Sequence, residues 1–168
     1  MTDVRVVLPD ADATRTWGAA LATLLRAGDL VVLTGPLGAG KTTLTQGIGT
    51  GLGVRGQVAS PTFIIAREHP SLTGGPALVH VDAYRLGSLE ELDALDLDSA
   101  LEESVTVVEW GAGLAERLAD DRLEIILDRP HGGAGGSSAV DEDEPEAGAR
   151  TVTVRALGER WKDVVLPT

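Results

Sequence analysis

Leu30-Val31-Val32-Leu33-Thr34-Gly35-Pro36-Leu37-Gly38-Ala39-Gly40-Lys41-Thr42-Thr43 is the stretch that decides the fold. Its first five residues form a continuous apolar run, the pattern of a strand buried on both faces. Gly35 to Thr42 then match G-x-x-x-x-G-K-[ST], a phosphate-binding loop. The glycines let successive backbone N–H groups turn inward around a polyphosphate. The helix that starts near Lys41 points its positive end at the same place. Lys41 is placed to reach the β- and γ-phosphates, and the Thr42 hydroxyl to ligate Mg²⁺. With this chain's own residue frequencies, chance yields ~0.004 such matches over its length. The chain has only two lysines against twelve arginines, so Lys41 is not a routine surface cation.

Upstream, residues 4–8 read as a first strand. A helix follows, with Trp17, Leu21, Leu24 and Leu25 on one face, Asp10 or Asp12 as its cap and Gly28 as its stop. Downstream, Leu44 and Ile48 mark the inner face of the helix after the loop. Gly47, Gly49, Gly51 and Gly53 each weaken it by about 1 kcal/mol relative to alanine, so a short helix is expected. Residues 63–66 and 77–81 read as strands. The turn-forming stretch 70–76 between them is too short for a crossover helix and predicts an antiparallel hairpin.

Helix starts are expected at Ser88 and over 98–103, an apolar strand over 105–108 ending on Glu109, and a helical turn over 114–118. Strands over 123–127 and 151–154 complete the pattern. Residues 129–149 are rich in glycine, serine and acids and bury almost nothing, so a mobile loop is expected there. The result is one domain spanning 1–168. Its fold class is α/β: a P-loop NTPase-like three-layer domain, with a mixed sheet parallel around the P-loop and antiparallel in the second half.

A phosphate loop needs a further acid for Mg²⁺ or its waters. Asp82 and Glu109 both end apolar strands, where open α/β sheets bind ligands; the pattern leaves open which is the direct ligand. Thr62, in Ser60-Pro61-Thr62-Phe63, suits a segment that senses the γ-phosphate, or simply a turn into a strand. His80 shares a strand face with Asp82 and reads as a satisfied structural histidine. Arg85 reads as an ion-pair partner, and Trp110 as a core or interface ring.

Composition narrows the class. The chain has 168 residues, 43% of them hydrophobic, enough for a real core. It has no cysteine, which excludes disulfides, thiolate metal sites and cysteine nucleophiles. The N-terminus lacks the long apolar run of a signal peptide. No stretch approaches the ~18 apolar residues of a membrane span, so a cytoplasmic protein with no membrane partner is expected. The net charge of -12 repels phosphate backbones and argues against autonomous binding of nucleic acid. Five of the negatives lie between Asp141 and Glu146, yet the remainder is acidic too.

Four blocks occur together: Gly35 to Thr42; Ser60-Pro61-Thr62-Phe63; His80-Val81-Asp82-Ala83-Tyr84-Arg85-Leu86; and Glu109-Trp110. In this order and spacing the chain resembles the TsaE family, also called YjeE. The resemblance implies an ATPase, weak alone, that supports formation of the threonylcarbamoyl group on the adenosine beside the anticodon. It implies TsaD and TsaB as protein partners, contact with tRNA only through them, and ATP and Mg²⁺ as cofactors. By the same resemblance Lys41, Asp82 and Glu109 are the catalytic set, and Thr42 and Glu109 the Mg²⁺ ligands. Asp82 positions the attacking water. Gly35, Gly38, Ala39, Gly40, Lys41, Thr42, Thr43, Thr62, Trp110 and Arg150 line the nucleotide, with residues 10–14 nearby. Two features depart from the family pattern: Gly111 stands where a proline often follows the Glu-Trp pair, and 129–149 is longer and more acidic than usual.

A small-molecule kinase is the alternative for a short chain of this type. Kinases of that kind use a basic lid, whereas the flexible stretch here is acidic and repels phosphates. A regulatory GTPase would read guanine through N-K-x-D, and the chain contains no asparagine.

Overall fold

The computed structural model describes residues 2–35, 40–54, 66–82, 102–109, 121–128 and 149–167. In chain order they form β1 (Thr2–Leu8), α1 (Ala11–Ala22), β2 (Leu30–Thr34), α2 (Lys41–Leu52), β3 (Ala66–His69), β4 (Ala77–Asp82), β5 (Ser104–Glu109), β6 (Arg122–Asp128) and β7 (Arg150–Leu157). A 3₁₀ turn, Glu159–Trp161, follows. All seven strands belong to one sheet of order β1-β7-β6-β2-β5-β4-β3.

The centre of the sheet is parallel: β6, β2, β5 and β4 run together. Both edges are antiparallel. β3 pairs with β4 as the expected hairpin, while β7 pairs with β6 and β1 with β7. The N-terminal strand therefore joins the antiparallel wing of the second half. The hairpin's first strand runs further than expected: Ala66 begins β3, which continues through Arg67, Glu68 and His69. The 63–65 portion of that expected strand lies outside the described residues.

Register explains the core. Val31, Val107 and Leu123 are level across neighbouring strands, as are Leu33 and Ile125, and Ile125 and Val154. These side chains share the face on which Trp17, Leu21, Leu44 and Ile48 of the two helices pack. On the opposite face Leu30, Val32, Val79, Val81 and Val108 are also buried. The central strands are thus covered on both sides, as their unbroken apolar runs require. At the β1–β7–β6 wing that second face opens, and Val7 and Ile126 are exposed.

α2 corrects an expectation. It spans 12 residues, although its glycines argue for a short helix. The reason is tertiary. A Cβ on Gly47 would lie 2.8 Å from Arg15 Cα, one on Gly51 2.7 Å from the Ala19 carbonyl oxygen, and one on Gly18 2.7 Å from that of Leu44. These glycines let α1 and α2 approach backbone to backbone. The packing of Leu44 and Ile48 against α1 and the sheet then stabilises a helix that propensity alone would not. Gly53 is the αL cap that ends it, with φ 70°.

α1 starts on Asp10, whose carboxylate accepts from Ala13 N at 2.8 Å, an N-cap bond. Asp12 instead pairs with Arg15 on the surface. Chain ends are tied in separately. Arg160 donates to both carboxylate oxygens of Asp29 at 3.1 Å and to the Leu24 carbonyl at 2.7 Å. Trp17 Nε1 donates to the Pro167 carbonyl.

Candidate functional site

The C-terminal ends of the parallel strands define one edge of the sheet. β2 leaves this edge at Thr34 and the chain returns as α2, whose first residue is Lys41. Gly40 is its N-cap, with φ 99° and no side-chain cap. Only a residue without a Cβ takes that conformation freely, and the first backbone N–H groups of the helix stay available to an anion. Lys41 is buried, and its Nζ donates to the Gly35 carbonyl oxygen at 2.8 Å. The cation is thus held at Gly35, the first residue of the phosphate-loop motif. Thr42 is half-buried and Thr43 buried.

β5 lies between β2 and β4, so its last residue sits in the middle of this edge. Glu109 is level with Leu33 on one side and with Asp82 on the other. The two acids proposed from the sequence are therefore level on neighbouring strands. Glu109 is only 4% exposed, and its Oε2 lies 2.5 Å from His80 Nε2. His80 is 0% exposed. Its Nδ1 has no hydrogen-bond partner among the described residues. His80, expected as a satisfied structural histidine, is thus bound through one ring nitrogen to Glu109, while the other has no partner among the described residues.

A second cation reaches the same edge from far along the chain. Arg150 opens β7, level with Leu8 of β1, and is buried. Its Nη1 donates to the Ala149 carbonyl at 3.1 Å. A Cβ built on Gly40 would lie 4.0 Å from Arg150 Nε, so the guanidinium lies against the N-cap of α2. Because Leu8 ends β1 here, the α1 start at Asp10 borders this edge as well. Gly35, Gly40, Lys41, Thr42, Thr43, Asp82, Glu109 and Arg150 thus gather at one edge. Gly38, Ala39, Thr62 and Trp110 lie outside the described residues, as do the expected 88 and 114–118 helices and the 129–148 part of the expected loop.

The family model for threonylcarbamoyl adenosine biosynthesis protein TsaE matches residues 8–134. The chain belongs to the TsaE family. It is 60% identical over 148 residues to the tRNA threonylcarbamoyladenosine biosynthesis protein TsaE of Streptomyces coelicolor, covering 88% of this chain and 93% of that one. It is 54% identical over 129 residues to the Mycobacterium tuberculosis protein of the same name, covering 73% of this chain and 77% of the relative. The crystal structure of YdiB from Bacillus subtilis superposes with a TM-score of 0.68 at 28% identity, covering 96% of this chain and 90% of that one.

The TsaE match contains Lys41, Thr42, Asp82 and Glu109 but stops before Arg150. Arg150 owes its place at the site to the antiparallel return of β7, which a local motif cannot register. Among the described residues no helix is long and apolar enough to cross a membrane.

Proposed function

We propose that this TsaE-family protein is a single-domain, cytoplasmic P-loop ATPase. It acts with TsaD and TsaB to sustain formation of threonylcarbamoyl-adenosine beside the anticodon of tRNAs. The carrying observation is that Lys41, which opens α2 after β2, and Glu109, which ends the neighbouring strand β5, lie at the same edge of the sheet. The relatives, named as tRNA threonylcarbamoyladenosine biosynthesis proteins, support the tRNA role. The net charge of -12 supports a division of labour in which partners hold the tRNA.

The donor chemistry suits Mg²⁺. The Thr42 hydroxyl and the carboxylates of Glu109 and Asp82 are hard oxygen donors, and the chain has no thiolate to offer a softer metal. No group of three His, Cys, Asp or Glu side chains among the described residues forms a closed cage. Mg²⁺ in nucleotide sites keeps several waters and shares phosphate oxygens. Thr42 and Glu109 would hold it. When bound, Mg²⁺ neutralises charge on the β- and γ-phosphate oxygens.

The chain's own groups do the rest. Lys41 exchanges the Gly35 carbonyl for phosphate oxygens, trading a neutral acceptor for a charged one. The N–H groups at the start of α2 receive the phosphates without reorganisation. Asp82 orients the attacking water, and Arg150 adds a fixed positive charge beside Gly40. Gly38, Ala39, Thr62 and Trp110 complete the nucleotide site in this reading.

The test is a reconstituted mixture of this protein, TsaD, TsaB, threonine, bicarbonate, ATP and the enzyme that makes threonylcarbamoyl-AMP. Multiple-turnover modification of tRNA is expected to need this protein and to fail with Lys41→Ala. Unchanged modification in its absence would overturn the reading.

A further inference from the structure

We infer that His80 is a positioning residue for the metal-binding carboxylate: it holds Glu109 by Oε2 so that Oε1 faces the cation. This rests on the reading of Glu109 as a Mg²⁺ ligand. Four observations carry it. The contact joins β4 to β5 at 2.5 Å, 29 residues apart in sequence. Both side chains are nearly inaccessible, at 0% for His80 and 5% for Glu109. The bond uses Nε2, the ring nitrogen farther from the backbone. Finally, Nδ1 is buried with no partner among the described residues.

The last point separates a positioning role from a packing one. An unpartnered buried polar atom costs about 1–3 kcal/mol. Two residues earlier on the same strand and face, Leu78 is fully buried, so this layer of the core accepts an aliphatic side chain. A leucine at position 80 would avoid the orphaned nitrogen. What it could not do is restrain Glu109. A free glutamate carboxylate samples several rotamers, and ordering one on ligand binding costs up to about 1.5–2 kcal/mol. His80 removes that freedom beforehand. It also occupies Oε2, which leaves one oxygen to face the ion. A hydrogen-bonded partner behind a ligating carboxylate is the usual arrangement in metal sites, and losing it weakens the metal about 10- to 100-fold.

The experiment uses the full chain and four variants: His80→Gln, His80→Asn, His80→Leu and Glu109→Gln. The glutamine amide nitrogen can reach the place of Nε2, whereas the asparagine amide reaches only that of Nδ1. ATP affinity is measured by calorimetry with Mn²⁺ and again in EDTA, and Mn²⁺ binding to the ATP complex by electron paramagnetic resonance. His80→Asn and His80→Leu are expected to weaken Mn²⁺ at least about tenfold with ATP affinity in EDTA unchanged. His80→Gln should restore most of the loss. The EDTA arm also reports folding, and His80→Asn keeps a polar side chain should His80→Leu fail to fold. If Glu109→Gln abolishes the Mn²⁺ effect while His80→Asn binds Mn²⁺ like wild type, the His80 inference is overturned alone. Equal losses in His80→Gln and His80→Asn overturn it as well. If Glu109→Gln changes nothing, the metal-ligand reading falls and the inference with it.

Discussion

Replacing Gly47 by alanine sets two effects of opposite sign against each other. Helix propensity favours alanine by about 1 kcal/mol at an interior helical position. On an isolated α2 the substitution would stabilise. In the folded protein the new methyl group would meet the backbone of Arg15, at 2.8 Å from its Cα and 2.9 Å from its carbonyl carbon. Backbone atoms of a packed helix cannot swing aside as a flexible side chain can. α1 and α2 must separate, which loosens the contacts of Trp17, Leu21, Leu44 and Ile48 in the shared core. Overpacking of this kind costs about 1–3 kcal/mol and sometimes more. With backbone on both sides the upper part of that range applies, and the expected net loss is about 2 kcal/mol. For a chain of this length that lowers the melting temperature by about 4–8 °C. Urea denaturation and scanning calorimetry measure both figures. Thr50→Ala is the control: Thr50 lies on the exposed side of the same helix and its hydroxyl bonds the Gln46 carbonyl within it, so no helix–helix packing is disturbed and stability should hold or rise slightly. A Gly47→Ala protein that melts at or above wild type would refute the close-approach account of α2.

Lys41→Ala should abolish ATP binding in calorimetry while the melting curve without nucleotide stays close to wild type, since alanine is a good helix former at the start of α2 and the Gly35 carbonyl is a neutral acceptor. Gly40→Ala places a Cβ at φ 99°, and among the described residues outside its chain neighbours nothing lies nearer than Arg150 Nε at 4.0 Å. Only backbone strain is added, about 1–2 kcal/mol, and urea titration should show that loss together with weaker ATP binding. Arg160→Ala strips the buried Asp29 carboxylate of its guanidinium. A loss of about 3–5 kcal/mol in urea unfolding is expected, and wild-type ATP affinity in the fraction that remains folded would confirm that the pair is purely structural.

Much of the site was readable from residues 30–43 and 105–109 because the information is local. A buried strand, a glycine-rich turn and a helix start are consecutive in the chain, and an acid at the end of an apolar run is consecutive too. The hairpin of β3 and β4 was equally local, since a short turn-rich connection admits no crossover. The length of α2 is not legible locally, for the opposite reason. Glycine reads as a helix breaker when the helix is considered alone, and as a contact residue once another helix lies against it. No spacing rule links positions 80 and 109, so the contact of His80 with Glu109 is not legible in the sequence.

By itself the sequence determined the phosphate loop, the central strands and the family, through motifs and apolar runs whose physics acts between near neighbours. The tertiary structure alone decided which residues meet there. Strand order inserts β5 between β2 and β4 and so sets Glu109 beside Asp82 and against His80. The antiparallel return of β7 carries Arg150 to the N-cap of α2, more than a hundred residues from Gly40 in sequence. Such meetings depend on the choice of strand neighbours, which the burial of the whole sheet settles and no local pattern encodes.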